Sequence, residues 1–125
     1  MELVAPLGDP RNLGALCRTA LAFGVTNMIL TQEATHPFLP AAVKASSGAV
    51  LKMNFSKSSQ PISEIPVVGD NYALDLQGIS LQQIKWPRNL RLWVGEEGPG
   101  LKLSPAQSRK LKLIHIPTQD VESLN

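Results

Sequence analysis

The sequence has few of the residues that small domains use for covalent or metal-based stabilisation. Its single cysteine, Cys17, excludes an internal disulfide. With only His36 and His115 as further soft ligands, we expect no structural zinc site. These scarcities are typical of proteins from a reducing compartment, and we expect a cytoplasmic protein.

Long apolar runs are also missing. Gly, Pro or charged residues interrupt every apolar stretch well before the roughly 18 residues of a membrane span, and Glu2 follows Met1 directly. The sequence therefore predicts no transmembrane helix, no signal peptide and no membrane partner. With 125 residues, 43% of them apolar and 18% charged, the chain is expected to form one globular domain with its own core.

Charge and aromatic content say little about a partner. The net charge is +2, and the aromatic residues make up 5% of the chain and are scattered, which argues against a base-stacking platform. Residues 85–112 nevertheless hold seven cations and two anions. That excess is compatible with binding of a polyanion, although a solvated face is its commoner cause.

Hydrophobic periodicity and the positions of Gly and Pro indicate alternating strands and helices. Asp9 and Pro10 are typical of a helix start, Gly24 is typical of a helix end, and the apolar residues between them follow the spacing of one buried face. Further helices are predicted at residues 38–46 and 105–110, with a helical turn at 81–84. Strands are predicted at residues 2–5, 26–31, 49–54, 90–94 and 111–116, and a turn at 69–71 separates residues 67–68 from 72–74. This alternation predicts an α/β fold with a mainly parallel sheet and helices on both faces.

The first predicted helix carries polar residues that favour a ligand. Asn12 lies in its first turn. The stripe opposite the buried face consists of Arg11, Gly14 or Ala15, and Arg18. Because glycine inside a helix costs about 1 kcal/mol relative to alanine, we expect a close approach to the backbone at Gly14. Beside the carboxyl end of a parallel strand, Asn12 and Arg18 are suited to a polar or anionic substrate; a solvated face with a packing glycine is the alternative.

Two further segments follow predicted strands. Residues 95–100, Gly-Glu-Glu-Gly-Pro-Gly, contain three glycines that allow a sharp bend and close approach to a ligand. They form neither a P-loop nor a dinucleotide fingerprint, and their two carboxylates would repel a pyrophosphate. Residues 116–125 run from Ile-Pro to Ser-Leu-Asn. Taken singly, residues 95–100 also fit a tight turn, and residues 116–125 also fit a polar loop. We expect Cys17 to be a core residue and His115 to be an ordinary strand residue.

Together these segments resemble the three ordered motifs of the SpoU (TrmH-type) RNA methyltransferases of the SPOUT superfamily. The matching stretches are residues 9–20, 94–101 and 116–125, and residues 45–49 also resemble a family segment. The resemblance implies an α/β fold with a deep trefoil knot, a homodimer, and S-adenosylmethionine as methyl donor. It further implies methylation of a ribose 2′-hydroxyl in tRNA or rRNA, so that RNA is the expected partner.

The resemblance also implies roles for individual residues. The implied catalytic residues are Asn12, Arg18, Glu97, Ser123 and Asn125, and the implied donor-binding positions are Gly95, Ile116 and Leu124. A guanidinium hardly ever gives up its proton, so Arg18 is better suited to anchoring a phosphate or stabilising a developing alkoxide than to acting as a base. The resemblance implies no metal and gives Glu96 no role.

The resemblance covers essentially residues 1–125, which we interpret as the catalytic, S-adenosylmethionine-binding domain. The family continues with a helix after the third motif, and many relatives carry an RNA-recognition domain before the first strand. We therefore expect the core of a longer protein, with an incomplete knot and no N-terminal RNA-recognition domain in this chain. Two alternatives stay open: a catalytically inactive donor-binding or RNA-interaction module of the same fold, and an unrelated α/β nucleotide-binding domain.

Overall fold

A single parallel sheet organises the chain, whose computed structural model describes residues 1–96 and 98–119. The strands are β1 (Glu2–Ala5), β2 (Asn27–Leu30), β3 (Asn54–Lys57), β4 (Asn71–Ser80), β5 (Arg91–Trp93) and β6 (Lys112–His115). The helices are α1 (Pro10–Ala22), α2 (Pro40–Ala45) and α3 (Pro105–Lys110), with 3-10 helices at Ala49–Lys52, Ile62–Glu64 and Leu81–Gln83. The strand order is β3-β2-β1-β5-β4-β6, and each pair is parallel. The predicted α/β fold with a mainly parallel sheet is confirmed.

Helix α1 begins and ends where the local sequence predicts. The Asp9 carboxylate accepts a hydrogen bond from the Arg11 backbone N–H at 2.8 Å, and Pro10 occupies the first turn, where its missing N–H costs nothing. Gly24 has φ 76°, a left-handed conformation that ends the helix and suits glycine. Because cap, proline and terminal glycine are all local signals, this helix could be predicted without tertiary information.

Close packing of α1 on α2 explains the glycine in the middle of α1. A Cβ added to Gly14 would lie 2.5 Å from the Ala42 carbonyl oxygen and 2.9 Å from the Ala45 Cβ. The predicted close approach to the backbone is confirmed, and the approaching group is α2. Gly14 is therefore buried, and Ala15, not Gly14, belongs to the exposed stripe with Arg11 and Arg18.

The predicted strand at residues 49–54 is wrong. After α2 the chain turns at Gly48, with φ 81°, and continues as the 3-10 helix Ala49–Lys52; the third strand starts only at Asn54. The buried Ser46 hydroxyl donates to the Val43 carbonyl at 2.9 Å and accepts from the Val50 N–H at 3.4 Å, which holds the turn. Val50 is buried in the same apolar cluster as Leu13 and Cys17 of α1, so the 3-10 helix, not a strand, buries the apolar residues of this segment.

Each face of the sheet carries its own apolar core. The face that bears Leu3 and Ala5 packs against α1 and α2, whereas Val4 and Trp93 point to the opposite face. There the Gln107 side chain of α3 donates to the Ile62 and Ile65 carbonyls at 2.8 and 2.9 Å, which joins α3 to the 3-10 helix Ile62–Glu64. Helices thus cover both faces, as predicted.

The order of the strands creates a crevice at one edge of the sheet. From β1 the chain proceeds outward to β2 and β3, then crosses over to build β4, β5 and β6 on the other side of β1. In open parallel sheets, ligands bind outside the carboxyl ends of the strands where the order reverses, here between β1 and β5. Among the described residues no helix has the length and apolar character needed to cross a bilayer.

Gly14→Ala is expected to lower the free energy of unfolding by roughly 1–3 kcal/mol, because the new methyl group overlaps the backbone of α2. Helix propensity acts in the opposite direction by about 1 kcal/mol, so the sign of the change decides whether packing dominates. Urea unfolding followed by circular dichroism measures it.

Thr19→Ala is the matched control, since Thr19 is exposed on the same helix. Its effect should stay within about 0.5 kcal/mol. A Gly14→Ala protein that is as stable as the parent would show that α1 and α2 do not pack this closely.

Candidate active site at the carboxyl edge of the sheet

The loop after β1 and the loop after β5 meet at the carboxyl edge. The Gly8 N–H donates a hydrogen bond to the Glu96 carboxylate at 3.0 Å, although the two residues are 88 positions apart. A cavity of about 310 Å³ opens beside this contact; we call it the edge cavity, and it is lined by Leu7, Gly8, Asp9, Asn12 and Glu96. The first and second predicted motifs therefore contribute to one cavity at the crevice.

Asn12 is the predicted site residue that lies in the edge cavity. It is partly exposed in the first turn of α1. The turn is held by Asp9, whose carboxylate also forms an ion pair with the Arg11 guanidinium at 2.8 Å. Hydrogen bonds from the side chain and backbone of Arg11 lower the pKa of Asp9, so the helix cap stays ionised at neutral pH.

Arg18 lies six residues after Asn12 and is exposed. At 1.5 Å rise per residue this places the two Cα atoms about 9 Å apart along α1. Arg18 does not line the edge cavity. The structure thus places Asn12 at the cavity and Arg18 farther along the exposed side of α1.

The glycine-rich loop after β5 is a closed turn. Glu96 and Gly100 exchange two backbone hydrogen bonds at 3.3 and 3.0 Å. A Cβ on Gly95 would lie 2.8 Å from the Gly100 carbonyl carbon. Position 95 therefore has to be glycine, because the backbone of Gly100 packs directly against it. Gly98 and Gly100 have φ of 84° and 68°. The backbone therefore forms the tight turn that the sequence left open as an alternative. A tight turn is compatible with a site here, because the Glu96 side chain on this turn contacts the loop after β1.

The remaining predicted site residues lie mostly beyond the described part of the chain. Glu97, Ser123, Leu124 and Asn125 are outside residues 1–96 and 98–119, and so is the segment that would form the knot. Their roles, and the knot, therefore stay predictions. Ile116 is described: it follows β6 and is 43% exposed. Gly95 and Ile116 follow β5 and β6, two strands that are about 10 Å apart because β4 lies between them.

Cys17 and His115 have the structural roles expected for them. Cys17 is fully buried in the core, and burial raises the pKa of its thiol to about 11, which keeps it protonated and unreactive. His115 lies in β6, and its Nδ1 is 2.6 Å from the Gly78 carbonyl oxygen. In the described part of the chain, no group of His, Cys, Asp and Glu side chains is arranged to hold a metal ion.

Two of the seven cations in residues 85–112 lie away from the site. Arg91 is the first residue of β5 and pairs with Glu2 at 2.6 Å. Lys112 is the first residue of β6 and pairs with Asp70 at 3.4 Å. Both pairs lie at the amino edge of the sheet, opposite the edge cavity. These two cations are therefore engaged in ion pairs and do not contribute to the edge cavity.

Glu33 supports the edge from the neighbouring loop, a role that sequence reasoning missed. Its carboxylate accepts hydrogen bonds from the Thr31 hydroxyl and from the Ile62 N–H, the latter at 2.9 Å. Burial raises the pKa of this carboxyl, but these hydrogen bonds and the positive charge of Lys102 lower it below its ordinary value overall. In the same loop the Thr35 N–H donates to the Leu7 carbonyl at 2.9 Å, so the loop after β1 rests on it.

Comparison with known proteins agrees with the three motifs. The family model described as "SpoU rRNA Methylase family" matches residues 3–125. A protein named "Ribosomal RNA small subunit methyltransferase G 2" from Syntrophobacter fumaroxidans is 40% identical over 125 residues, which are 99% of this chain and 24% of that protein. The "23S rRNA (guanosine-2'-O-)-methyltransferase RlmB" of Acinetobacter baylyi is 29% identical over 127 residues, with 94% of this chain and 50% of that protein covered.

A solved structure shares the fold. The AdoMet-bound rRNA methyltransferase from Sinorhizobium meliloti superposes with a TM-score of 0.74 at 27% identity, over 99% of this chain and 49% of that one. The chain thus spans between a quarter and a half of the length of these proteins. The SPOUT-type architecture implied by the motifs is confirmed for the described residues.

Glu33→Ala is expected to lower the free energy of unfolding by about 1 kcal/mol at about pH 7, because two hydrogen bonds to an exposed carboxylate are lost. Since folding lowers the pKa, the stabilisation is complete above the ordinary carboxyl pKa and disappears as pH falls below about 4. Denaturant unfolding of the parent and the variant at about pH 7 and below about pH 4 measures the effect. Glu64→Ala, an exposed acid in the 3-10 helix Ile62–Glu64, should change little at either pH, and a difference for Glu33→Ala that does not depend on pH would contradict the charge-based account.

Proposed function

The chain belongs to the SpoU rRNA methylase family, and on this premise we propose that it transfers a methyl group from S-adenosylmethionine to a ribose 2′-hydroxyl of a structured RNA, either tRNA or rRNA. The observation that carries the proposal is the edge cavity, in which Asn12 of the first motif meets the turn of the second motif. A cavity at the reversal of strand order is where a parallel sheet binds ligands. The name of the Acinetobacter relative, a guanosine-2'-O-methyltransferase, supports the ribose as acceptor.

The residues of this edge fit S-adenosylmethionine. The donor supplies an electrophilic methyl group on a positively charged sulfonium and carries ribose hydroxyls but no phosphate. The Glu96 carboxylate suits such a cation and would repel a pyrophosphate. Gly95 lies on the loop after β5, and Ile116 offers a half-exposed apolar side chain on the loop after β6. We assign the donor to the backbone around Gly95, Ile116 and Leu124. The AdoMet-bound neighbour from Sinorhizobium supports the choice of donor.

The RNA is assigned to the exposed face of α1. Arg11 is engaged by Asp9 at the start of the helix, whereas Arg18 is exposed two turns later. A guanidinium binds a phosphate in a bidentate manner, and it does not deprotonate, so Arg18 anchors a phosphate or stabilises the developing alkoxide. Asn12, at the cavity, provides both a donor and an acceptor for the ribose.

Positioning is the main task of these side chains. The ribose oxygen displaces the methyl group from sulfur in line: an oxygen–carbon bond forms, the sulfur–carbon bond breaks and leaves its electron pair on a neutral sulfur, and the hydroxyl proton is released to water. We assign Glu97 to orienting the acceptor through a hydrogen bond from the ribose hydroxyl or from a neighbouring side chain. Ser123 and Asn125 complete the polar set. We also propose that the protein is a homodimer, which sedimentation analysis would test. We further propose that it acts in the cytoplasm, which cell fractionation would test.

Arg18→Ala is expected to abolish methylation while donor affinity stays within about threefold, because Arg18 lies away from the loops assigned to the donor. Transfer of a radioactive methyl group to tRNA and rRNA measures the first quantity, and calorimetry with S-adenosylmethionine the second. Arg88→Ala removes the same charge before β5, at the amino edge, and should methylate at the parental rate. An Arg18→Ala protein as active as Arg88→Ala would refute the role of Arg18.

Glu97→Gln is expected to slow single-turnover methylation by at least about tenfold, because the amide keeps the shape of the side chain but loses the charge-assisted hydrogen bond. Folding and donor binding should be preserved, and the labelled product should resist alkaline hydrolysis, which requires a free 2′-hydroxyl.

The matched control is Glu64→Gln, the same chemical change at an exposed site in the 3-10 helix Ile62–Glu64. Donor binding without any transfer by the parental protein would favour the alternative, an inactive donor-binding module. Equal rates for the two variants would show that Glu97 belongs to a structural turn only.

A further inference from the structure

We propose that Glu96 is a positioning residue that holds the first motif against the second motif, an inference that rests on the proposed function. Its carboxylate accepts the Gly8 N–H at 3.0 Å and so joins the loop after β5 to the loop that leads into α1. Asn12 lies four residues after Gly8, and Glu97 is the next residue after Glu96. One hydrogen bond thereby couples the segments that carry two of the proposed catalytic side chains.

The Glu96 end of this contact is rigid. The backbone of Glu96 is paired with Gly100 through two hydrogen bonds, and the closed turn leaves no space for a Cβ on Gly95. Glu96 is partly buried and lines the edge cavity. A carboxylate carried by a restrained backbone limits the positions from which its partner N–H can reach it.

The Gly8 end determines where α1 starts. Leu7, before Gly8, is held by the Thr35 N–H, and Asp9, after it, is the N-cap of α1. A Cβ on Gly8 would lie 3.1 Å from the Glu96 Oε1, so a side chain at this position would require the carboxylate to move by a few tenths of an ångström. The φ of Gly8 is not left-handed, and glycine here is thus explained by the approach of Glu96.

The fold does not depend on this hydrogen bond. Strands β1 and β5 are already paired from Glu2↔Arg91 to Val4↔Trp93, and the Val94 N–H donates to the Val4 carbonyl at 3.0 Å. The bond between Glu96 and Gly8 adds one contact beyond the end of that ladder. Its loss should therefore change the geometry of the site much more than the stability of the protein.

Three variants test the inference: Glu96→Ala, Glu96→Gln and Gly8→Ala. Glu96→Ala should slow single-turnover methylation by about tenfold or more at saturating donor and RNA, with donor affinity within about threefold. Glu96→Gln keeps a carbonyl oxygen that accepts the Gly8 N–H, so it should restore most of the rate. Gly8→Ala should slow the parental protein but have little further effect when Glu96 is already alanine, which a double-mutant cycle detects.

A second readout does not require activity. In proton–nitrogen correlation spectra, the Gly8 amide should shift and exchange faster with solvent in Glu96→Ala, and it should remain close to its parental position in Glu96→Gln. If the parental protein transfers no methyl group, the proposed function fails, and this amide still decides whether the contact exists.

Several results would overturn the proposal. These are parental rates in Glu96→Ala, equal loss of rate in Glu96→Gln and Glu96→Ala, additive effects of Gly8→Ala and Glu96→Ala, and a Gly8 amide that does not respond to Glu96. A fall in the unfolding midpoint that accounts for the lost rate would assign Glu96 to the fold instead.

Discussion

The parallel pairing of β1 with β5 is the constraint on which the rest of the structure depends. Residues about 90 positions apart are paired in register, from Glu2↔Arg91 to Val4↔Trp93. Because parallel strands end at the same edge of a sheet, the loops that follow β1 and β5 must meet. The first loop leads into α1 and its polar residues, and the second is the glycine-rich turn. The edge cavity and the contact between Gly8 and Glu96 are direct consequences of that register.

Buried polar side chains hold the strands that flank this pair. The Trp93 indole N–H donates to the Asn71 Oδ1 at 2.9 Å, so β5 is attached to the start of β4 inside the core. The Asn71 amide in turn donates to the Val68 and Gly69 carbonyls at 2.9 and 3.0 Å. Both ends of this network are satisfied, which makes it costly to shift β5 along β4, since a slip would leave buried polar groups unpaired. A fixed β5 fixes the turn that follows it.

The sequence predicted features that depend on neighbouring residues and missed those that depend on strand order. Helix α1 could be placed because the signals from Asp9, Pro10 and Gly24 are local. The close contact at Gly14 could be predicted because glycine destabilises the middle of a helix, so its presence there needs a packing reason. The strand at 49–54 was misplaced because the apolar residues there are buried by the 3-10 helix that follows α2. The periodicity of a short apolar run cannot distinguish such a helix from a strand. The hydrogen-bond partner of Glu96 could not be predicted from the local pattern, because the residues around position 96 do not indicate that β5 pairs with β1. Glu33 was missed for the same reason, since its acceptor role depends on the distant Ile62.

The arrangement of the edge suits the proposed methyl transfer, whose rate would depend on positioning. That reaction would need the ribose oxygen, the methyl carbon and the sulfur in line, so an error of about 1 Å would be costly even when every side chain is present. Flexible loops would allow such errors, yet here both loops are restrained: one by its own backbone bonds between Glu96 and Gly100, the other by Thr35 and Asp9. Two adjacent carboxylates repel each other, so each is easier to keep ionised when it has a hydrogen-bond donor of its own. Under the proposed function, Glu96 would accept the Gly8 N–H and Glu97 would accept a hydrogen bond from the acceptor side, so that each carboxylate has a separate donor.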